Sequence, residues 1–140
     1  MATENLSPIT VETTVNKPIA QVWECWTNPE EIVQWCFASS DWHCPYAEND
    51  IQTGGKFKST MAAKDGSFSF DFEGVYSNVE AEKLIEYELG DGRKVKITFE
   101  SLGDKTKVVE TFDPESQSPV EMQKGGWQAI LNSFKAHAEG

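Results

Sequence analysis

The stretch Ser67-Phe68-Ser69-Phe70-Asp71-Phe72-Glu73 places an aromatic ring at every second position, with small or acidic residues between. Successive side chains of an extended chain point to opposite faces, so this spacing predicts a strand that sends its three rings to one side. The same signature recurs downstream. Ile85, Tyr87 and Leu89 alternate with Glu86 and Glu88, Val95, Ile97 and Phe99 with Lys94, Lys96 and Thr98, and Thr106 to Phe112 reads as a last strand. Turn chemistry at Gly54-Gly55, Asp65-Gly66, Asp91-Gly92 and Gly103-Asp104 breaks the chain between such runs. From Cys44 to Phe112 the expectation is therefore an antiparallel meander of about six strands. The alternation changes phase at Gly74, where a bulge is expected.

Upstream, Ile9, Val11, Thr13 and Val15 give one more strand with a single buried face. Asn16 is placed to cap a helix whose first turn holds Pro18, and Ile19, Val22, Trp23 and Trp26 recur at helical spacing up to about Thr27. Asn28-Pro29-Glu30 restarts the chain as a second short helix with Ile32, Val33 and Trp35 on its apolar face. Downstream, a polar loop from Glu115 to Pro119 leads to a helix over roughly Val120 to His137. Trp127, Ile130, Leu131, Phe134 and Ala138 form its apolar stripe. Ile130, Leu131 and Phe134 are expected to be buried, and Gln128, Asn132 and Lys135 to face water. Gly125-Gly126 costs helix stability, roughly 1 kcal/mol per glycine relative to alanine. The helix is expected to begin or bend there, or to recover the cost through close backbone contact.

The 140 residues suit one domain spanning positions 1–140, which at this size buries roughly 70% of its unfolded surface. Five Trp and eight Phe exclude a disordered chain. The net charge of −11, with Arg93 the sole arginine, argues against nucleic acid as a partner, and Lys56 and Lys58 read as a solvated strand face. No segment approaches the ~20 apolar residues of a membrane span, and the first fifteen residues lack the pattern of a leader. Cys25, Cys36 and Cys44 are an odd, sparse set that suits free thiols in a reducing compartment, so a cytoplasmic location is expected.

An ordered set of segments then carries a family resemblance across nearly the whole chain. It comprises Val22-Trp23, Trp26-Thr27-Asn28-Pro29-Glu30, Trp35, Gly54-Gly55-Lys56-Phe57, Gly74-Val75-Tyr76, Thr106 and Gly126-Trp127. The chain resembles the SRPBCC superfamily of START-like folds, and within it single-domain relatives of the C-terminal domain of the Aha-type activator of a heat-shock chaperone ATPase. Two positions depart from that pattern: Trp35-Cys36 stands where relatives carry Trp-Trp, and Gln52-Thr53 where they carry Arg-Pro. The resemblance implies an α+β helix-grip fold, in which a curved antiparallel sheet of about seven strands wraps a long C-terminal helix and two short helices follow strand one. It also implies an apolar cavity between sheet and helix.

Within such a fold Trp26, Trp35, Phe37, Phe57, Phe70, Phe72, Tyr87, Phe99 and Trp127 come from elements that converge, and they are the candidate ligand-binding set. About half of them are expected to be ordinary core. Tyr87 and the tryptophans add polar handles. Glu110 shares strand parity with Val108 and Phe112, and an inward Glu110 would have its carboxyl pKa raised by desolvation, making it an anchor, acid or base. A metal site from Cys36, His43 and Cys44 is disfavoured by spacing, and no nucleophile or phosphate-loop signature occurs. No cofactor, metal or catalytic residue is assigned. The expected function is binding of a small hydrophobic molecule, by a monomer or homodimer. The alternatives are a cyclase or hydratase working through pocket acid/base groups, and a chaperone-interacting stress protein.

Overall fold

A computed structural model describes residues 7–140. Its strands are β1 (Ile9–Val15), β2 (Trp42–Asn49), β3 (Lys56–Ala63), β4 (Ser69–Glu80), β5 (Leu84–Leu89), β6 (Lys94–Ser101) and β7 (Thr106–Phe112). They form one antiparallel, curved sheet in the order β1-β7-β6-β5-β4-β3-β2, so the first strand closes against the last. Two short helices, α1 (Ile19–Thr27) and α2 (Pro29–Ile32), follow β1, and α3 (Val120–Glu139) ends the chain. This is the α+β helix-grip fold that the alternating stripes and the family resemblance imply.

The apolar stripes account for the layers. Val11, Val15, Ile85, Val95, Ile97, Phe99, Val108 and Phe112 are all buried on the concave face, where they meet Val22 of α1 and Leu131 and Phe134 of α3. β1 and β7 pair from Ile9 with Phe112 to Val15 with Thr106. The buried Thr106 hydroxyl donates to the Lys17 carbonyl at 2.9 Å, which ties the start of β7 to the exit from β1.

Several local expectations need correction. Pro18, not Asn16, caps α1: its carbonyl accepts from the backbone N–H groups of Gln21 and Val22, while the Asn16 N–H donates to the Glu139 carboxylate. The second helix starts as expected, with the Asn28 side-chain oxygen accepting from the Glu30 N–H at 2.9 Å. The register slip in β4 falls between Tyr76 and Asn78, so Gly74 is not the bulge. Gly74 answers a different demand, because a Cβ there would sit 2.6 Å from the Glu88 carbonyl oxygen and 3.0 Å from the Phe57 ring. A fifth turn, between β4 and β5, carries no glycine signal; Glu82 takes the left-handed conformation at φ 64°.

On α3, Leu131 and Phe134 are fully buried and Asn132 is exposed, as the stripe predicts. Ile130 is only half-buried, because it borders open space rather than packed side chains. Gln128 and Lys135 do not simply face water: Gln128 Nε2 donates to the Glu12 carbonyl at 3.3 Å and Lys135 Nζ to the Thr14 carbonyl at 2.7 Å. These two side chains cover carbonyl groups of the edge strand β1, which otherwise lack strand partners. Gly125 and Gly126 lie inside α3, not at its start, and a Cβ at either would meet nothing within 4 Å. Close backbone contact is therefore not what holds them there.

Candidate functional site

A cavity of about 240 Å³ lies between the concave face and α3. The strands from β3 to β7 reach it through one parity of their residues. β3 contributes Phe57, Ser59 and Met61, β4 Phe70, Phe72 and Tyr76, β5 Ile85 and Tyr87, and β7 Glu110. The helices close it: Trp26 and Trp35 from α1 and the segment after α2, Trp127 and Ile130 from α3.

Of the ten residues singled out in the sequence, eight line this space: Trp26, Trp35, Phe57, Phe70, Phe72, Tyr87, Glu110 and Trp127. Two do not. Phe99 lies edge-on to Trp23 and Trp26, with ring centroids 5.3 and 5.7 Å away, and belongs to the packed end of the interior. Phe37 is half-buried, packed against the core, and does not border the cavity. Phe70 is 43% exposed and stands at the rim, where it joins Trp42 and the 59%-exposed Phe68 in a ring cluster outside the covered interior.

The walls are held by hydrogen bonds that consume most of the polar handles. Trp35 Nε1 donates to the Cys25 carbonyl at 2.9 Å, which fixes that indole against α1. Asn49 Nδ2 donates to the Thr27 carbonyl at 2.8 Å, and Asn49 Oδ1 accepts from the Tyr76 hydroxyl, linking the end of α1 to β4. Burial pushes the Tyr76 phenol well above its usual range. Trp127 stacks flat on Phe112, with centroids 3.9 Å apart.

Two groups are left without such partners. Glu110 is 6% exposed, and among the described residues nothing donates a hydrogen bond to its carboxylate. Desolvation alone raises its pKa from the ordinary 4.5 to about 8. Tyr87 is buried beside it; burial first, then the nearby Glu110, pushes the phenol well up. Strand parity foresaw the inward Glu110. It could also have found Ser59, which shares parity with Phe57 and Met61, but a serine in a strand raises no signal of its own. Cys36 and Arg93 reach the cavity from irregular segments that parity does not read.

Cys25, Cys36 and Cys44 form no disulfide in the structure. Cys36, at the cavity wall, is pushed well above the usual thiol range by its interaction with Cys44 and by burial. His43 is exposed and Cys44 buried, so strand alternation sends these neighbours to opposite faces and no Cys36–His43–Cys44 cluster forms. A different trio converges where the helices meet: His137 Nε2 lies 2.7 Å from Glu31 Oε1, and Cys25 Sγ 3.9 Å from the same oxygen. These three are chemically able to hold a divalent cation. In the structure they join α1, α2 and α3 by a hydrogen-bonded His–Glu pair.

A curved sheet gripping a helix around an aromatic cavity defines the chain as a START-like protein. Residues 16–139 match the family described as Activator of Hsp90 ATPase homolog 1-like protein, and the chain belongs to it. The solved AHSA1-like protein of Aeromonas hydrophila shares 42% identity at a TM-score of 0.89, over 94% of this chain and 92% of its own. A protein of Cytophaga hutchinsonii shares 58% identity at a TM-score of 0.81, over 94% of this chain and 91% of its own. A protein of Chromobacterium violaceum, at 20% identity, shares the fold with a TM-score of 0.84, over 95% of this chain and 98% of its own. No protein with a curated description matches the chain.

Proposed function

We propose that the protein binds a small, predominantly apolar molecule in the cavity between the sheet and α3. The supporting observation is the void itself. Protein interiors close-pack, and an unfilled space of about 240 Å³ under a helix forfeits contacts that a core would make. It exceeds the roughly 150 Å³ that holds a benzene-sized guest and falls below the roughly 300–1,000 Å³ of pockets for drug-sized ligands. Rings from three strands, from α1 and α3 and from the segment after α2 form its wall, with few polar groups among them. Three free thiols and an acidic surface fit a cytoplasmic protein, active as a monomer or homodimer, and no described helix is long and apolar enough to cross a membrane.

The test is binding of an uncharged naphthalene-type dye, followed by its blue-shifted emission and by Trp26, Trp35 and Trp127 fluorescence. Ser59→Phe should fill the space and abolish binding while circular dichroism stays native. Unchanged dye binding in that variant would move the site elsewhere. A second reading rests on Glu110: a carboxyl titrating near neutrality beside Tyr87 is equipped to move a proton on a bound molecule, as a cyclase or hydratase requires.

A further inference from the structure

The proposed cavity has a chemical polarity that narrows its ligand, and the narrowing rests on the reading above. We propose that the cavity takes a small arylalkyl or alkyl ammonium ion, its charged head against Glu110 and its apolar body among the rings.

Glu110 is a carboxyl group in the wall of an apolar cavity, with no donor supplied by the described residues. Buried acids are ordinarily matched by a cation or by several donors. The partner that the chain omits is the one a ligand would bring. Three features choose among ligand classes. An anionic ligand would meet Glu110 and, nearer the rim, Glu48, within a protein of net charge −11. The one cationic side chain at the wall, Arg93, is already paired with a carboxylate, its Nε donating to Asp91 at 2.8 Å. A neutral hydrocarbon would fill the void but leave the carboxyl unmatched. An ammonium answers Glu110 directly, and the faces of Trp, Tyr and Phe rings attract cations further. The acidic surface also raises the local concentration of cations.

The ionisable groups around Glu110 leave this assignment intact. β5 presents Tyr87 and β4 presents Tyr76, both phenols held neutral by burial. The segment after α2 presents the neutral Cys36 thiol. β6 faces the cavity with Ile97, α1 with Trp26, and α3 with Trp127 and Ile130, none of them titratable. Glu110 is thus the group whose proton must leave when the ammonium enters. At neutral pH the carboxyl is mostly protonated, so binding releases its proton to solvent and the ion pair forms without net change of charge inside.

The experiment compares phenethylamine with its neutral counterpart phenethyl alcohol by titration calorimetry, in buffers of differing ionisation enthalpy. The amine should bind about tenfold or more tighter than the alcohol at pH 7. Its affinity should rise by about tenfold per pH unit from pH 5 to pH 7, and flatten near pH 8 as Glu110 ionises unaided. The buffer dependence of the heat should report close to one proton released. Glu110→Gln should remove the amine preference, the pH slope and the proton release together, while the alcohol still binds. An alcohol that binds as well as the amine, or affinity that falls as pH rises, would overturn the ammonium assignment and leave the apolar-cavity reading standing. Failure of the amine, the alcohol and the uncharged dye alike would overturn both.

Discussion

Two ends of the same helix-on-sheet interface are built from the same kinds of residue and packed in opposite ways. Toward the C-terminus of α3, Phe134 is 0% exposed, with the Trp26 and Trp35 rings edge-on to it at 4.8 and 4.9 Å. Phe99, Trp23 and Leu131 complete a filled core there. One to two turns earlier on the same helix, Ile130 and Trp127 border an open cavity with Tyr87 and Glu110 in its sheet wall, although Trp127 lies edge-on to Phe72 at 5.8 Å. Trp26 and Trp35 serve both ends. Aromatic content therefore does not distinguish core from pocket; what distinguishes them is whether space is left between the facing side chains.

The largest expected effect tests the packed end. Phe134→Ala should cost about 3 to 5 kcal/mol in denaturant melts, because a fully enclosed ring leaves a cavity its neighbours cannot fill. Ile130→Ala, which enlarges a space already open, should cost about 1 to 2 kcal/mol. Equal losses at the two positions would erase the distinction between a packed and an open end.

At the open end the unmatched, desolvated carboxyl of Glu110 should destabilise the ligand-free protein above the pH at which the unfolded chain ionises. Glu110 titrates near 4.5 when unfolded and near 8 when folded. Below pH 4.5 both states hold the proton and no penalty exists. Between pH 4.5 and 8 the unfolded chain ionises first, so stability contributed at this site falls as pH rises, then levels off. Glu110→Gln should consequently stabilise the free protein by roughly 3 kcal/mol at pH 7 and by almost nothing at pH 4. Melts showing the same difference at both pH values would mean that folding leaves the Glu110 pKa unshifted.

The contrast also explains what was legible in the sequence. Alternation named the strands because Phe70 and Phe72, Ile85 and Tyr87, and Val95 and Ile97 each repeat at period two, a signal that survives any tertiary arrangement. Parity likewise turned Glu110 inward. Parity says which face a side chain takes but not what stands opposite, so Phe57 and Phe99 looked alike although one borders the void and the other fills the core. Phe68 kept its parity yet lies beyond the end of β4, outside the cover of α3. The edge-covering bonds of Gln128 and Lys135 were hidden for a related reason: their partners are backbone carbonyls over a hundred residues away.

A smaller effect comes from the sheet wall of the cavity. Gly74→Ala places a methyl group 2.6 Å from the Glu88 carbonyl oxygen and against the Phe57 ring. The wall has to shift, at a cost of about 1 to 3 kcal/mol. Because Phe57 lines the cavity, the same substitution should weaken dye binding, whereas Phe134→Ala should act on stability first. Intact dye affinity in Gly74→Ala would show that Phe57 is displaced without consequence for the open end.

The smallest expected change has the opposite sign and concerns the helix wall. Gly125 and Gly126 immediately precede Trp127, lie within α3, take no positive φ, and have open space where a Cβ would project. Neither packing nor backbone geometry requires glycine there. Alanine at each position should therefore stabilise the protein by about 0.5 to 1 kcal/mol, through the helix preference and the lower entropy of the unfolded chain. If the cavity end of α3 must loosen to admit a ligand, Gly125→Ala and Gly126→Ala together should also slow dye association and dissociation in stopped-flow records, leaving equilibrium affinity nearly unchanged. A stability gain with unaltered rates would assign ligand entry to the Phe70 rim instead, and no gain at all would mean that α3 is strained at this turn.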